Sequence, residues 1–246
     1  MVVLMSLTYE GKAYGRSKND NNECLIAIVI DDFGYGGKGT DEMLKLDIPL
    51  TAAIIPFLEK SQYDADLAIK NGKEVIIHMP MEANSGNHCL GKDPILVSLG
   101  DEEIKKRVNS AFDEIKVAKG MNNHMGSKVT SNESVIGIVL DVVKEKNVFY
   151  LDSKTSQKSK VEKLCKEKSI PYYTRDVFLD HINSQANVEK ELDKAYEVAK
   201  KNGKCVVIGH VGSQGGNTTV NGLKNKIPEL KNKGAKFVFL SELQAK

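Results

Sequence analysis

The chain has no tryptophan and only 6 prolines. Without tryptophan, any flat surface offered to a sugar ring must come from tyrosine or phenylalanine. No apolar run approaches membrane-spanning length, so no transmembrane segment is expected. An excess of one charge is also lacking. The 35 Lys and Arg residues face 33 Asp and Glu, for a formal net charge of +2, so the balance carries no footprint of a nucleic-acid or anionic membrane partner. The 4 cysteines, Cys24, Cys89, Cys165 and Cys205, form no C-x-x-C pair and provide no disulfide framework. Cys205, inside "CVVIG", reads as a buried, unreactive thiol. No G-x-x-x-x-G-K-[ST] phosphate loop is present.

What is present fits a soluble globular protein: 246 residues, 41% hydrophobic and 28% charged, enough for a full core. Residues 1–23 read as an N-terminal arm or the remnant of an export signal, because the apolar run Val2 to Leu7 is shorter than a signal core and lacks a basic leader. The polar "RSKNDNNE" then reads as a linker, and residues 24–246 as one domain with no internal linker.

From Cys24 onward, short β-rich runs alternate with helical stretches. Strands are expected at Leu25–Ile30, Leu50–Ile55, Val75–Ile77, Val148–Leu151, Ile170–Tyr173, Cys205–Ile208 and Lys236–Leu240, with a weaker one at Met121–Met125. Their continuous hydrophobicity is that of parallel strands covered on both faces. "DEEIKKRVNSAFDEIKVAK" (101–119) carries Ile104, Val108, Ala111, Phe112 and Ile115 at helical spacing behind an acidic first turn. Segments 132–147, 156–169 and 187–203 read the same way, the last stopping at Gly203. The expected fold is α/β: a (β/α) barrel of seven or eight parallel strands, TIM-like or incomplete. A doubly wound open sheet is the alternative. Both place ligand chemistry beyond the C-terminal ends of the strands.

The polar residues collect at those ends. The first strand ends in Asp31-Asp32, the third in His78, the weak fourth in His124 and the fifth in Asp152-Ser153; the sixth runs into Arg175-Asp176 and the seventh ends in His210. A single histidine so placed is more often structural than catalytic, but several on one rim are harder to dismiss. One carboxylate with two imidazoles suits zinc or another divalent first-row metal and leaves positions open for water and substrate. Of the adjacent aspartates, one can bind the metal while the other serves as general base, and the metal offsets their repulsion. His210 could then protonate a leaving group, which together describes metal-assisted acyl hydrolysis.

A rival lies in "GYGGKG", where Gly34, Gly36 and Gly39 match G-x-G-x-x-G and Glu59 follows about twenty residues on, as a dinucleotide fold requires. Against it, the two aspartates directly before the glycines would repel a pyrophosphate. The glycines then serve to shape a tight turn.

With the blocks "IAIVIDDFGYG", "VIIHMPME", "GMNNHMGS", "YLDSKTS", "RDVFLD" and "VIGHVG" in this order, the chain from about Leu25 resembles the divergent polysaccharide deacetylase family. This is a distant branch of the metal-dependent carbohydrate esterases of the chitin and peptidoglycan deacetylase kind. The resemblance implies a (β/α) barrel, often one strand short. It implies Asp31 as catalytic base, Asp32, His78 and His124 as ligands of a divalent metal, Zn2+ by preference, and His210 as general acid. Arg175 and Asp176 would orient the base or close the groove. Asp180 would back a site residue or touch substrate, joining Glu82, Asn123 and Asp152 as substrate contacts. Ordinary members carry two histidines close together in one segment; here His78 is followed by Glu82, and the second imidazole comes from His124 on another strand.

Plainer readings accompany several of these residues. Glu82 can hold a backbone turn, Asn122 and Asn123 can form turns, and Asp152, Ser153 and Thr155 can cap the next helix. His88 and His181 read as loop residues. Tyr35, Phe33, Phe178 and Tyr173 are the available sugar platforms. The implied activity is removal of acetyl groups from an N- or O-acetylated poly- or oligosaccharide at the cell envelope. The alternative is a non-catalytic glycan- or partner-binding envelope protein on the same fold.

Overall fold

The computed structural model describes residues 23–246; the expected N-terminal arm lies outside the described residues. The elements in chain order are β1 (Leu25–Phe33), α1 (Thr40–Leu44), β2 (Thr51–Ile54), α2 (Ser61–Lys70), β3 (Glu74–Met81), α3 (Asp101–Glu114), β4 (Gly120–Met125), α4 (Glu133–Glu145), β5 (Phe149–Asp152), α5 (Val161–Lys168), β6 (Tyr172–Thr174), β7 (Val177–Phe178), α6 (Gln185–Asn202), β8 (Lys204–His210), α7 (Asn217–Asn232) and β9 (Lys236–Val238). All strand pairs are parallel, in the order β6-β5-β4-β3-β2-β1-β8-β7. β9 pairs with the first residues of β1, Leu25 to Ala27, whereas β2 pairs with β1 from Val29 onward. The sheet is therefore a curled, incomplete TIM-like barrel, and the open doubly wound alternative is set aside.

The curl ends at a seam. β6 pairs with β5 and β7 with β8, and only Arg175 and Asp176 separate them. The Arg175 N–H donates to Asp152 O, while the Asp176 N–H donates to Val206 O. One extended segment thus leaves one edge strand and joins the other, closing the barrel by a two-residue crossing instead of a ladder.

Strand alternation sorts the side chains into two layers. Ile26, Ile28 and Ile30 join the large core packed between sheet and helices. Ala27, Val29, Ile76, Leu151, Tyr173, Val206 and Ile208 belong to a second cluster that fills the barrel interior, together with Leu240 and Leu243. Continuing each interior series two residues further reaches Asp31, His78, Ser153, Arg175 and His210 at the C-terminal mouth. The apolar filling below holds these polar groups in place.

The helices follow local chemistry. α4 starts where Asn132 accepts from the Val135 N–H, and α6 where Ser184 accepts from the Asn187 N–H. α6 ends on Gly203 at φ 83. α5 begins later than the expected residue 156, because Ser159 Oγ is drawn to Asp152 Oδ2. No helix among the described residues is long and apolar enough to cross a membrane.

Candidate active site

The opening pair of carboxylates sits on a bulge, where the register of β1 against β2 shifts between Ile30 and Phe33. Asp31 stays in register and lies opposite His210 on β8. Regular alternation would turn Asp32 to the other face. Instead Asp32 adopts φ 69, a left-handed conformation that Asp tolerates better than most residues. Both carboxylates then face one imidazole: His78 Nε2 is 3.6 Å from Asp31 Oδ2 and 3.4 Å from Asp32 Oδ1.

His124, on the neighbouring strand β4, completes a triangle. Its Nδ1 lies 3.1 Å from Asp32 Oδ1 and 3.1 Å from His78 Nε2. Ligand atoms about 2.0–2.1 Å from a tetrahedral metal are spaced roughly 3.3 Å apart, so these separations are those of one face of such a tetrahedron. Asp32 Oδ1 is buried yet has no hydrogen-bond partner among the described residues, although two ring nitrogens crowd it. Burial acts to raise the Asp32 pKa, but the adjacent His124 and His78 outweigh it and hold the carboxylate well below its ordinary range. The donor set fits a divalent cation held by Asp32, His78 and His124.

Asn122 ties this triad to Asp31. Its Nδ2 donates to Asp31 Oδ1 at 2.9 Å, and its Oδ1 lies 2.7 Å from His78 Nδ1. Because the amide nitrogen is committed to Asp31, the amide oxygen must accept from His78 Nδ1–H. This fixes the tautomer that leaves the Nε2 lone pair on the metal side. Burial raises the Asp31 pKa, against the lowering effect of His78, His210 and Asn122.

On the opposite side, Asp180 organises His210. Asp180 Oδ1 is 2.8 Å from His210 Nδ1, while Oδ2 accepts from the His210 backbone N–H and from Thr219 Oγ1, both at 2.7 Å. Nε2 is thereby left as the nitrogen His210 can present to the cavity it lines. Burial opposes a charge on this ring, but the hydrogen bond and charge of Asp180, with Asp31 and Asp32 beyond, push its pKa up to about 9.

These groups open into a cavity of about 400 Å³ lined by Asn123, Ser153, Lys154, Arg175, Phe178 and His210 among others. A second lobe of about 460 Å³ extends past Tyr35, Gly37 and Ser213, and Asp32 and His124 line both. Of the expected site residues, the structure brings together Asp31, Asp32, His78, His124 and His210, with Asp180 behind His210. Asn123 lines the cavity, but its amide braces the loops: Nδ2 donates to Met125 O, and Oδ1 accepts from the Ser153 N–H. Arg175 closes the seam through Nε to Ser153 O and Nη2 to Lys154 O, with no ion pair to Asp31 among the described residues.

Three expectations need correction. Asp176 is exposed and turned outward, its Oδ2 accepting from the Val206 N–H near the start of β8. Asp152 falls on the outward face beside Tyr150, where it binds the Lys154 N–H and Ser159 Oγ. Glu82 is held by the Val97 N–H and Lys128 Nζ. None of the three lines the cavity. Among the aromatics, Phe33 and Tyr173 are buried, so Tyr35 and Phe178 remain as platforms. The nucleotide alternative also fails: the Gly34 N–H is taken by Asp64 Oδ2 at 2.7 Å, and the following α1 has 5 residues with Asp41 and Glu42 in its first turn.

Comparison with known proteins agrees with the fold. The family described as divergent polysaccharide deacetylase matches residues 28–244. An uncharacterized protein of Haemophilus influenzae is 31% identical over 209 residues, covering 85% of this chain and 72% of its own. The uncharacterized protein YibQ of Escherichia coli is 32% identical over 185 residues, covering 75% of this chain and 58% of its own. Among solved structures, the uncharacterized protein ATU2773 of Agrobacterium tumefaciens superposes with a TM-score of 0.82 at 20% identity, covering 88% of this chain and 87% of that one. The catalytic domain of a peptidoglycan N-acetylglucosamine deacetylase from Eubacterium rectale gives 0.58 at 17% identity, covering 96% and 93%. A family 4 acetyl xylan esterase from Clostridium thermocellum, solved with a cobalt ion, gives 0.52 at 13% identity, covering 89% of each chain.

Proposed function

The chain belongs to the divergent polysaccharide deacetylase family, and from that premise we propose that it is a metal-dependent hydrolase removing acetyl groups from an N- or O-acetylated polysaccharide. The observation that carries this reading is the convergence of Asp32 Oδ1, His78 Nε2 and His124 Nδ1 within 3.1–3.4 Å of one another, beside Asp31. A divalent metal at these ligands, with zinc preferred by the nitrogen-rich donor set, would polarise an acetyl oxygen and acidify water. Asp31 is the general base: its raised pKa strengthens it as a proton acceptor, and Asn122 fixes its orientation. His210 is the general acid, kept protonated at neutral pH and aimed by Asp180, and it protonates the departing amine or alkoxide through Nε2.

Residues 24–246 form the proposed catalytic unit. The deacetylase and esterase names of the structural neighbours support a glycan substrate and a place in the cell envelope. The test is acetate release from acetylated oligosaccharides by metal-loaded protein, beside metal analysis of the protein as purified. Asp31→Asn is expected to lower the rate by about 10²–10⁴-fold with the fold and the metal retained. Saturable glycan binding without acetate release from the unaltered protein would replace the hydrolase with a glycan-binding function.

A further inference from the structure

One wall of the 400 Å³ lobe carries donors that the proposed hydrolysis does not use. Ser153 is buried and lines the cavity, yet its Oγ has no hydrogen-bond partner among the described residues. Next to it, Lys154 lines the same cavity from a left-handed φ of 54. Its backbone is locked on both sides, the N–H to Asp152 Oδ1 at 2.8 Å and the carbonyl to Arg175 Nη2 at 3.2 Å. A glycine would hold this conformation without strain; the lysine keeps a charged side chain there instead. Arg175 also lines the cavity, with its guanidinium 4.9 Å from the centre of the Phe178 ring.

Among the described residues, neither Lys154 nor Arg175 has an ion-pair partner, with no carboxylate within 4.0 Å, and Asp31, Asp152 and Asp176 act on Arg175 only at longer range. The nearby acids are occupied: Asp152 by the Lys154 N–H and Ser159, Asp176 by the Val206 N–H, and Asp31 by Asn122. With a divalent metal balancing Asp31 and Asp32, a lysine ammonium without an ion-pair partner and a hydroxyl without a hydrogen-bond partner remain on one wall beside the Arg175 guanidinium. A carboxylate supplies what that wall lacks.

We propose that Ser153, Lys154 and Arg175 form an anion subsite that takes the carboxylate of an acidic sugar neighbouring the acetylated unit, so that the substrate is an acidic heteroglycan. This rests on the glycan reading given above. The experiment titrates three hexasaccharide-sized probes into the full-length, zinc-loaded Asp31→Asn protein, so that binding is read without turnover: a hyaluronan hexasaccharide, its methyl ester, and chitohexaose. The acidic probe is expected to bind roughly tenfold more tightly than either neutral one at low salt, the scale of one charge-assisted hydrogen bond, and to lose that advantage at high salt. Lys154→Gln and Ser153→Ala should each shrink the acidic-to-neutral ratio.

Equal affinity for all three probes overturns the proposal, as does a ratio unchanged in both variants or no binding of any probe. Free acetate displacing the three probes equally well would also overturn it, by making the wall a product site. Acetate release by the unaltered protein is measured separately. Selective acidic binding with no release on any probe sinks the hydrolase and leaves the subsite, whereas release without selectivity does the reverse.

Discussion

Asn122 holds two neighbours with one amide, so truncating it injures both. Asn122→Ala leaves Asp31 without its donor and His78 Nδ1–H without its acceptor in a buried site. Losing such an outer partner costs about 10–100-fold in metal affinity, measurable by competition with a chelating dye. His210 gives a second prediction, on pH. Its pKa is raised to about 9, so the charged ring stabilises the fold fully below its ordinary value near 6.5 and loses that contribution as pH rises through about 9. Asp180→Asn removes the main support of the charge. It should move the alkaline limb of the rate profile to lower pH and shrink the stability difference from the parent across that same window. Much of the site was legible residue by residue, because Asp31, His78 and His210 each extend an interior-facing strand series to its polar end. Asn122 was not, since an asparagine pair before His124 reads equally well as a turn, and only the curl of the sheet shows that it spans from β3 to β1. Asp152 and Asp176 misled for the converse reason: each sits one residue from an inward position, and alternation turns it outward.

At the scale of elements, continuous apolar runs located seven of the nine strands among the described residues, and the weaker pattern at Met121–Met125 located an eighth. β7 escaped because a two-residue strand completing a bent segment has no periodicity to detect. Helix α7 escaped because Gly222 and Pro228 weaken its pattern. Gly222 has a packing reason: a Cβ there would stand 2.5 Å from Val188 Cγ1 on α6. Gly222→Ala must therefore push the two helices apart. An overpacking cost of roughly 1–3 kcal/mol is expected, read as a lowered midpoint in denaturant unfolding, whereas the same change at the unobstructed Gly100 should cost far less.

For the molecule as a whole, barrel class and rim location followed from the alternation of elements, while the two-residue closure of the seam did not, because only side-to-side pairing defines it. The proposed metal ligands Asp32, His78 and His124 come from β1, β3 and β4, so a bound ion would tie three strands together. At a zinc concentration about 100 times its Kd, the stabilisation is roughly 2.7 kcal/mol, or about 5–10 °C in Tm for a chain of this size. A chelator should reverse it in a thermal melt, and Asp32→Asn should abolish most of it. Asp32 and His124 border both lobes of the cavity, which would set the proposed reacting position midway along a trough and not at the bottom of a pit. Such a layout has no need of free termini: a long glycan laid across it would be processed at interior units, and acetate yield from end-blocked polymers should scale with total acetylated units, independent of the number of chains.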